Sequence, residues 1–311
     1  MDICDEINSG YKNFALRAID LCTIAYDDKN AIKAKVKSNT GFDVVWGPNV
    51  LYDAVGIAYS AMFVAKDPAT NHLYLVIRGT DMYSLYSWLE EDFDVGKGEN
   101  LFKMPGINSH FVPNIPIAKG THRGLKELLS MTDDTTGRTL VRFLQNQNYP
   151  LLYIMGHSLG GTLTPAMMLY LNYVLNKGAV ITNMIPFTFA GLSPGGHVFN
   201  YYFNHRFTRA VNWRVHNTLD IAPFMWGSRA YVFDVYEPWN LKLWDWTLDK
   251  GLIEHYFDEA ANSGLRYGQA QAGQALPGVF DQSVVDDNLW PAQAAHQHGT
   301  KTYKMLIQKW L

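Results

Sequence analysis

The chain has 311 residues, 48% of them hydrophobic and 18% charged, with a net charge of -3. That length and apolar content suit one large α/β domain with a full core and exclude a disordered chain. The charge balance has no basic bias, so nothing points to nucleic acid, and no apolar run approaches the ~20 residues of a membrane span. The first ten residues are acidic and polar, so the chain as given carries no signal peptide. A mature secreted form with a replacement Met would look the same, which leaves localisation open. The aromatic share of 14% suits an apolar pocket, although aromatics serve equally as core. Cys4 and Cys22 would be able to pair in an exported protein; the favoured reading makes Cys22 a core thiol on a helix.

In chain order, Ser9 is a candidate cap for a helix from about Tyr11 to Tyr26. Phe14, Ala15, Ala18, Leu21, Cys22 and Ala25 recur there at helical spacing. Residues 31–50 show no clear pattern and read as irregular. Residues 55–64 and 73–77 read as strands joined by a turn-rich Lys66-Asp67-Pro68-Ala69-Thr70-Asn71. The second strand runs into Arg78-Gly79-Thr80-Asp81. A loop at such a strand end can supply half of an oxyanion hole, Thr80 offering a backbone N–H and a hydroxyl. Met82, Leu85 and Leu89, with Trp88 adjoining, then make residues 82–92 a short amphipathic helix. That helix is either a lid over a pocket or an ordinary packed helix. Residues 93–121 read as a long surface loop, and residues 122–131 and 137–147 as helices.

Residues 151–161 organise the rest. Leu151-Leu152-Tyr153-Ile154-Met155 is an uncharged apolar run that reads as a buried strand. Gly156-His157-Ser158-Leu159-Gly160-Gly161 follows, and residues 162–173 supply a helical run. A bare Gly-x-Ser-x-Gly is a weak signal; strand, sharp turn and helix around it make it a candidate nucleophile elbow. The turn is so tight that Gly156 and Gly160 must lack a Cβ. It exposes the Ser158 hydroxyl and aims the next helix N-terminus, with the Leu159 N–H, at whatever that hydroxyl attacks.

Downstream, residues 180–190 and 211–215 have strand character, and strands alternating with helices predict a mostly parallel sheet. Asp220, just past a strand end and beyond the serine, stands where a triad acid belongs. Residues 226–290 are the least readable, with Trp239, Trp244 and Trp246 among leucines and a Gly/Ala/Gln-rich loop at 268–278. Residues 298–311 read as a terminal helix.

Together these pieces resemble a class 3 lipase, the family related to the fungal triacylglycerol lipases. The resemblance rests on the 15–26 helix, Arg78-Gly79-Thr80, Ser87-Trp88-Leu89 with Asp92-Phe93, and His122-Arg123-Gly124. It continues through the Gly156–Gly161 hexapeptide, Phe189-Ala190-Gly191, Arg214-Val215 with Asn217, and Asp220 with Pro223. It implies an α/β-hydrolase fold over residues 1–311: a mostly parallel central sheet, helices on both faces and a short helical lid (Met82, Leu85, Trp88, Leu89). It implies Ser158 as nucleophile, Asp220 as acid, and Thr80 and Leu159 as oxyanion donors. The chain departs from the family in the length of 93–121, in 226–290, and in Pro165, which is expected to kink the elbow helix.

This fold carries its triad in the order Ser, Asp, His, which leaves His255, His296 and His298 for the base. The family pattern has a Tyr five residues after the base; Tyr303 favours His298, while His296 would put Lys301 there. His157 is the variable residue of the elbow, and His122 is expected to be structural through a loop hydrogen bond. No histidine spacing suggests zinc and no acidic cluster suggests calcium. The expected activity is serine-dependent ester hydrolysis through an acyl-enzyme, most simply on triacylglycerol, without a cofactor. The partners are an ester or lipid substrate and a transient lipid–water interface. A phospholipase A1, a feruloyl or short-chain esterase, and an inactive lipase-like binding protein are the alternatives; an intact Ser158, Asp220 and His298 argues against the last.

Overall fold

The computed structural model describes residues 3–52, 56, 58–79, 94–107, 113–176, 183–207, 213–241, 247–270, 273–284 and 290–310. Two N-terminal helices, α1 (Ile3–Ile24) and α2 (Lys29–Thr40), lead into β1 (Asp43–Tyr52), β2 (Ala58–Lys66) and β3 (Leu73–Ile77). The ribbon β4 (Gly98–Asn100) and β5 (Pro116–Ala118) precedes α3 (Lys119–Ser130) and α4 (Leu140–Gln145). Then come β6 (Leu152–His157), α5 (Leu159–Asn176), β7 (Met184–Phe189), α6 (His197–Arg206) and β8 (Arg214–Asn217). The C-terminal part holds α7 (Arg229–Asp234), α8 (Thr247–Asn262), β9 (Gln274–Leu276), α9 (Trp290–His298) and α10 (Thr300–Lys309).

The central sheet has seven strands in the order β1-β2-β3-β6-β7-β8-β9. The first two pairings are antiparallel and the rest parallel. Side chains alternate across it with period two. Met62, Val64, Leu75, Ile77 and Ile154 join Leu125, Leu128, Leu163 and Phe199 on one face. Phe63, Ala65, Val76 and Met155 join Ala18, Cys22, Leu306 and Ile307 on the other. Burial on both faces is why β3 and β6 are nearly all apolar. Among the described residues, no helix is long and apolar enough to cross a membrane.

Several sequence expectations change. Residues 31–50 are regular, not irregular. Asp28 caps α2 by accepting from the Asn30 and Ala31 amides at 3.0 Å, and Gly41 closes it at φ 75°. Only Ile32 and Val36 of α2 are buried, one turn apart, so its apolar stripe is too thin to stand out among the lysines. The 93–121 loop holds the β4–β5 ribbon, the 268–278 loop holds β9, and a helix the sequence did not indicate, α9, precedes the expected terminal helix across Gly299. Helix α1 begins before Ser9, which is an internal residue and not a cap. Pro165 sits inside an unbroken α5. Cys22 is a free, buried thiol, and burial pushes its pKa up. Residues 226–290, unreadable in sequence, contribute most of a third core. There Trp226, Val232, Tyr236, Ile253, Phe257 and Trp290 pack beside Leu219, Ile221 and Met225.

Candidate active site

At the end of β6 the chain turns so sharply that three glycines are forced. A Cβ on Gly156 would lie 2.3 Å from the Gly160 carbonyl, one on Gly160 2.1 Å from the Ile77 oxygen, and one on Gly161 2.8 Å from the Phe189 oxygen. Real Cβ contacts are never this short, so the turn admits no other residue at these positions. Ser158 itself adopts φ 59°, a conformation a non-glycine residue holds only where its surroundings compel it. Its amide donates to the Phe189 oxygen at 3.0 Å, and its own carbonyl accepts from the Thr162 amide at 3.0 Å. Helix α5 begins at the next residue, so the Leu159 N–H lies in a first turn, whose amides have no acceptor within the helix.

The candidate acid lies on the loop after β8, and the candidate base ends α9. Asp220 and His298 are both fully enclosed, and His298 Nδ1 lies 2.9 and 3.1 Å from the two Asp220 oxygens. A carboxylate accepts, so Nδ1 carries a hydrogen; in neutral imidazole that leaves Nε2 with its lone pair. Nε2 is buried and has no hydrogen-bond partner among the described residues. Two further donors reach the carboxylate: the Tyr303 hydroxyl at 2.8 Å and the Ala222 amide at 3.0 Å. Burial and the adjacent Asp220 raise the Tyr303 pKa well above that of ordinary tyrosine, so it stays a donor.

Other contacts fix this loop and helix end from a distance. Asn217 accepts from the Leu219 amide at 2.9 Å and donates to Gln297, reaching its backbone oxygen at 2.8 Å and its side-chain oxygen at 2.7 Å. The Tyr303 hydroxyl also accepts from the Asn217 amide at 3.0 Å. Tyr236 donates to the Leu219 oxygen at 2.7 Å, and Tyr231 donates to the Thr218 oxygen. The 226–290 segment thus packs onto the acid loop and also hydrogen-bonds to it.

The other histidines go elsewhere. His255 is exposed beside Glu259, and His296 lies 3.7 Å from Asp281. His122 lies on α3, not in a loop, and its Nε2 has no partner among the described residues. His157, assigned only a variable position by sequence, is fully buried. It contacts the Tyr26 hydroxyl and the His298 carbonyl. No sequence signal marked Tyr26, Tyr231, Tyr236 or Gln297. Thr80 and the stretch expected to form a lid helix, with Met82, Leu85, Trp88 and Leu89, lie outside the described residues. Gly79, just before Thr80, is pressed against the elbow: a Cβ there would lie 2.5 Å from the His157 oxygen and 2.8 Å from Ser158 Cβ.

The sheet order and the strained serine turn are those of an α/β-hydrolase, and known folds agree. The lipase M37 superimposes with a TM-score of 0.74 at 23% identity, over 94% of this chain and 91% of that one. Lip2 lipase from Yarrowia lipolytica gives 0.50 at 18% identity, over 70% and 73%. The family model of the class 3 lipases matches residues 74–229, half of the chain. No curated protein matched the sequence. The chain belongs to the class 3 lipase family and is an ester-hydrolysing enzyme.

Proposed function

We propose that this enzyme is a triacylglycerol lipase acting through a Ser158–His298–Asp220 triad and an acyl-enzyme. The observation that carries the reading is the buried pair in which His298 Nδ1 meets Asp220 while Nε2 is left unpartnered. Neutral His298 takes the proton from Ser158 as the hydroxyl attacks an ester carbonyl. Asp220 holds the tautomer and stabilises the imidazolium. The Leu159 and Thr80 amides receive the oxyanion. His298 returns the proton to the departing alcohol, and water, activated in the same way, releases the acid. No step calls for a cofactor.

The same reading treats residues 1–311 as one hydrolase domain with insertions at 93–121 and 226–290. It makes 82–92 a lid that exposes Met82, Leu85, Trp88 and Leu89 at a lipid–water interface. The test is hydrolysis of p-nitrophenyl esters from short to long acyl chains, beside emulsified triglyceride and a phospholipid. Long-chain esters and triglyceride should be turned over fastest, with a steep rise once an emulsion forms. Preference for phospholipid would make the enzyme a phospholipase A1, and activity on short soluble esters alone an esterase. In parallel, His298→Ala should abolish turnover while His296→Ala keeps most of it; the reverse result would move the base.

A further inference from the structure

His157 precedes Ser158, has no role in the chemistry above, and is completely buried. Its Nε2 lies 2.8 Å from the backbone oxygen of His298, its Nδ1 lies 2.9 Å from the Tyr26 hydroxyl, and its ring lies 4.8 Å from the His298 ring, tilted by 52°. A carbonyl oxygen only accepts, so Nε2 must carry the hydrogen. In the neutral ring Nδ1 is then an acceptor, which requires Tyr26 to donate. Burial, with His298 adjacent, pushes the His157 pKa well below that of ordinary histidine, so the ring is neutral. One arrangement of protons satisfies every atom.

The carbonyl that His157 holds is not an arbitrary one. His298 ends α9, and the last carbonyls of a helix lack partners within it. Here they are met by side chains: Thr302 reaches the His296 oxygen at 2.6 Å, Asn217 the Gln297 oxygen at 2.8 Å, and His157 the His298 oxygen. Of these donors, only His157 is covalently adjacent to Ser158. Its bond is therefore the short link between the nucleophile's backbone and the base's backbone. Tyr26 adds a third connection, since a Cβ on Gly79 would lie 2.6 Å from its hydroxyl. The Arg78 guanidinium lies over the Tyr26 ring at 5.2 Å.

We propose that Tyr26 and His157 are positioning residues: Tyr26 anchors the His157 ring through Nδ1, and the Nε2–H sets the spacing of His298 from Ser158. This rests on the triad reading above. Without the Tyr26 hydroxyl, Nδ1 loses its donor, and the His157 ring is anchored at Nε2 alone. The ring would tilt, its bond to the His298 carbonyl would loosen, and the end of α9 would shift. A displacement of about 1 Å at a reacting group costs on the order of a hundredfold in rate.

The test uses the full chain and a short soluble ester, with active sites titrated by a serine-reactive phosphonate so that kcat refers to intact sites only. Tyr26→Phe should lower kcat about 10- to 100-fold with KM within about twofold of wild type. His157→Gln, whose amide N–H can still reach the carbonyl, should recover most of the rate lost in His157→Leu. Nitrogen NMR of histidine-labelled protein should show His157 neutral and protonated at Nε2, with the Nδ1 resonance moving to that of an acceptor without a donor in Tyr26→Phe. A merely structural pair would reduce the titratable fraction and leave kcat per site unchanged. Wild-type kcat in Tyr26→Phe, or an Nδ1–H tautomer in the wild type, would overturn the proposal. If His298→Ala stays active, the triad reading fails instead, and the NMR result still decides the tautomer.

Discussion

Two regions meet at the candidate site and are built by different means. The elbow is local: Gly156, Ser158, Gly160 and Gly161 lie in one stretch, and backbone sterics alone dictate its shape. The Asp220–His298 pair is assembled from residues 78 positions apart and held by side chains from 217, 236, 297 and 303. The first is rigid because a side chain has nowhere to go. The second is rigid only while a set of buried hydrogen bonds stays satisfied, so its members should fail by degrees.

Substitutions can break that contrast. Gly160→Ala places a Cβ 2.1 Å from the Ile77 oxygen, a backbone atom that cannot step aside. Activity should fall below detection together with several degrees of melting temperature, whereas Gly251→Ala, inside α8 with open space around it, should leave activity unchanged and raise the melting temperature slightly. An active Gly160→Ala would mean the turn is softer than its contacts imply. On the other side, Asp220→Asn should keep the fold and lower kcat about ten-thousandfold, through loss of the charge and the correct tautomer. Tyr236→Phe removes one buried bond to the Leu219 oxygen. It should cost about 1 kcal/mol in denaturant unfolding and reduce kcat several-fold. A loss as large as that of Asp220→Asn would show that the acid loop depends wholly on the 226–290 segment.

The last expected effect leaves the chemistry untouched and is one of pH. Burial, with Arg214 beside it, depresses the His216 pKa from 6.5 to about 4. The unfolded chain therefore binds a proton more readily than the folded one. The His216 contribution to stability is complete above about pH 6.5 and is lost as the pH falls towards 4. Unfolding free energies across that window should decline less in His216→Gln than in wild type. Parallel declines would assign the acid sensitivity to other groups.

The same division explains what the sequence made legible. The elbow was readable because its requirement is a spacing of glycines after an apolar run. The sheet was readable where strands are buried on both faces, as in β3 and β6. Helix α2 escaped because only Ile32 and Val36 are buried, and β9 because it has three residues and pairs along one edge. The candidate base was narrowed to His298 by the family's spacing to Tyr303, and in the structure the Tyr303 hydroxyl bonds to Asp220, the carboxylate that also meets His298. Tyr26, His157, Tyr231 and Tyr236 could not be singled out from the chain. Each bonds to a residue outside its own element, and nothing in the local pattern distinguishes these three tyrosines from ordinary core aromatics or gives His157 more than its place in the elbow.

The central claim is that Ser158 is the nucleophile, and covalent labelling tests it most directly. A fluorophosphonate applied to the intact enzyme, followed by peptide mass spectrometry, should modify Ser158 alone and abolish ester hydrolysis in step with labelling. Ser158→Ala should resist the reagent, stay folded, and retain on the order of a millionth of wild-type kcat. Labelling at another serine, or substantial turnover by Ser158→Ala, would contradict the account.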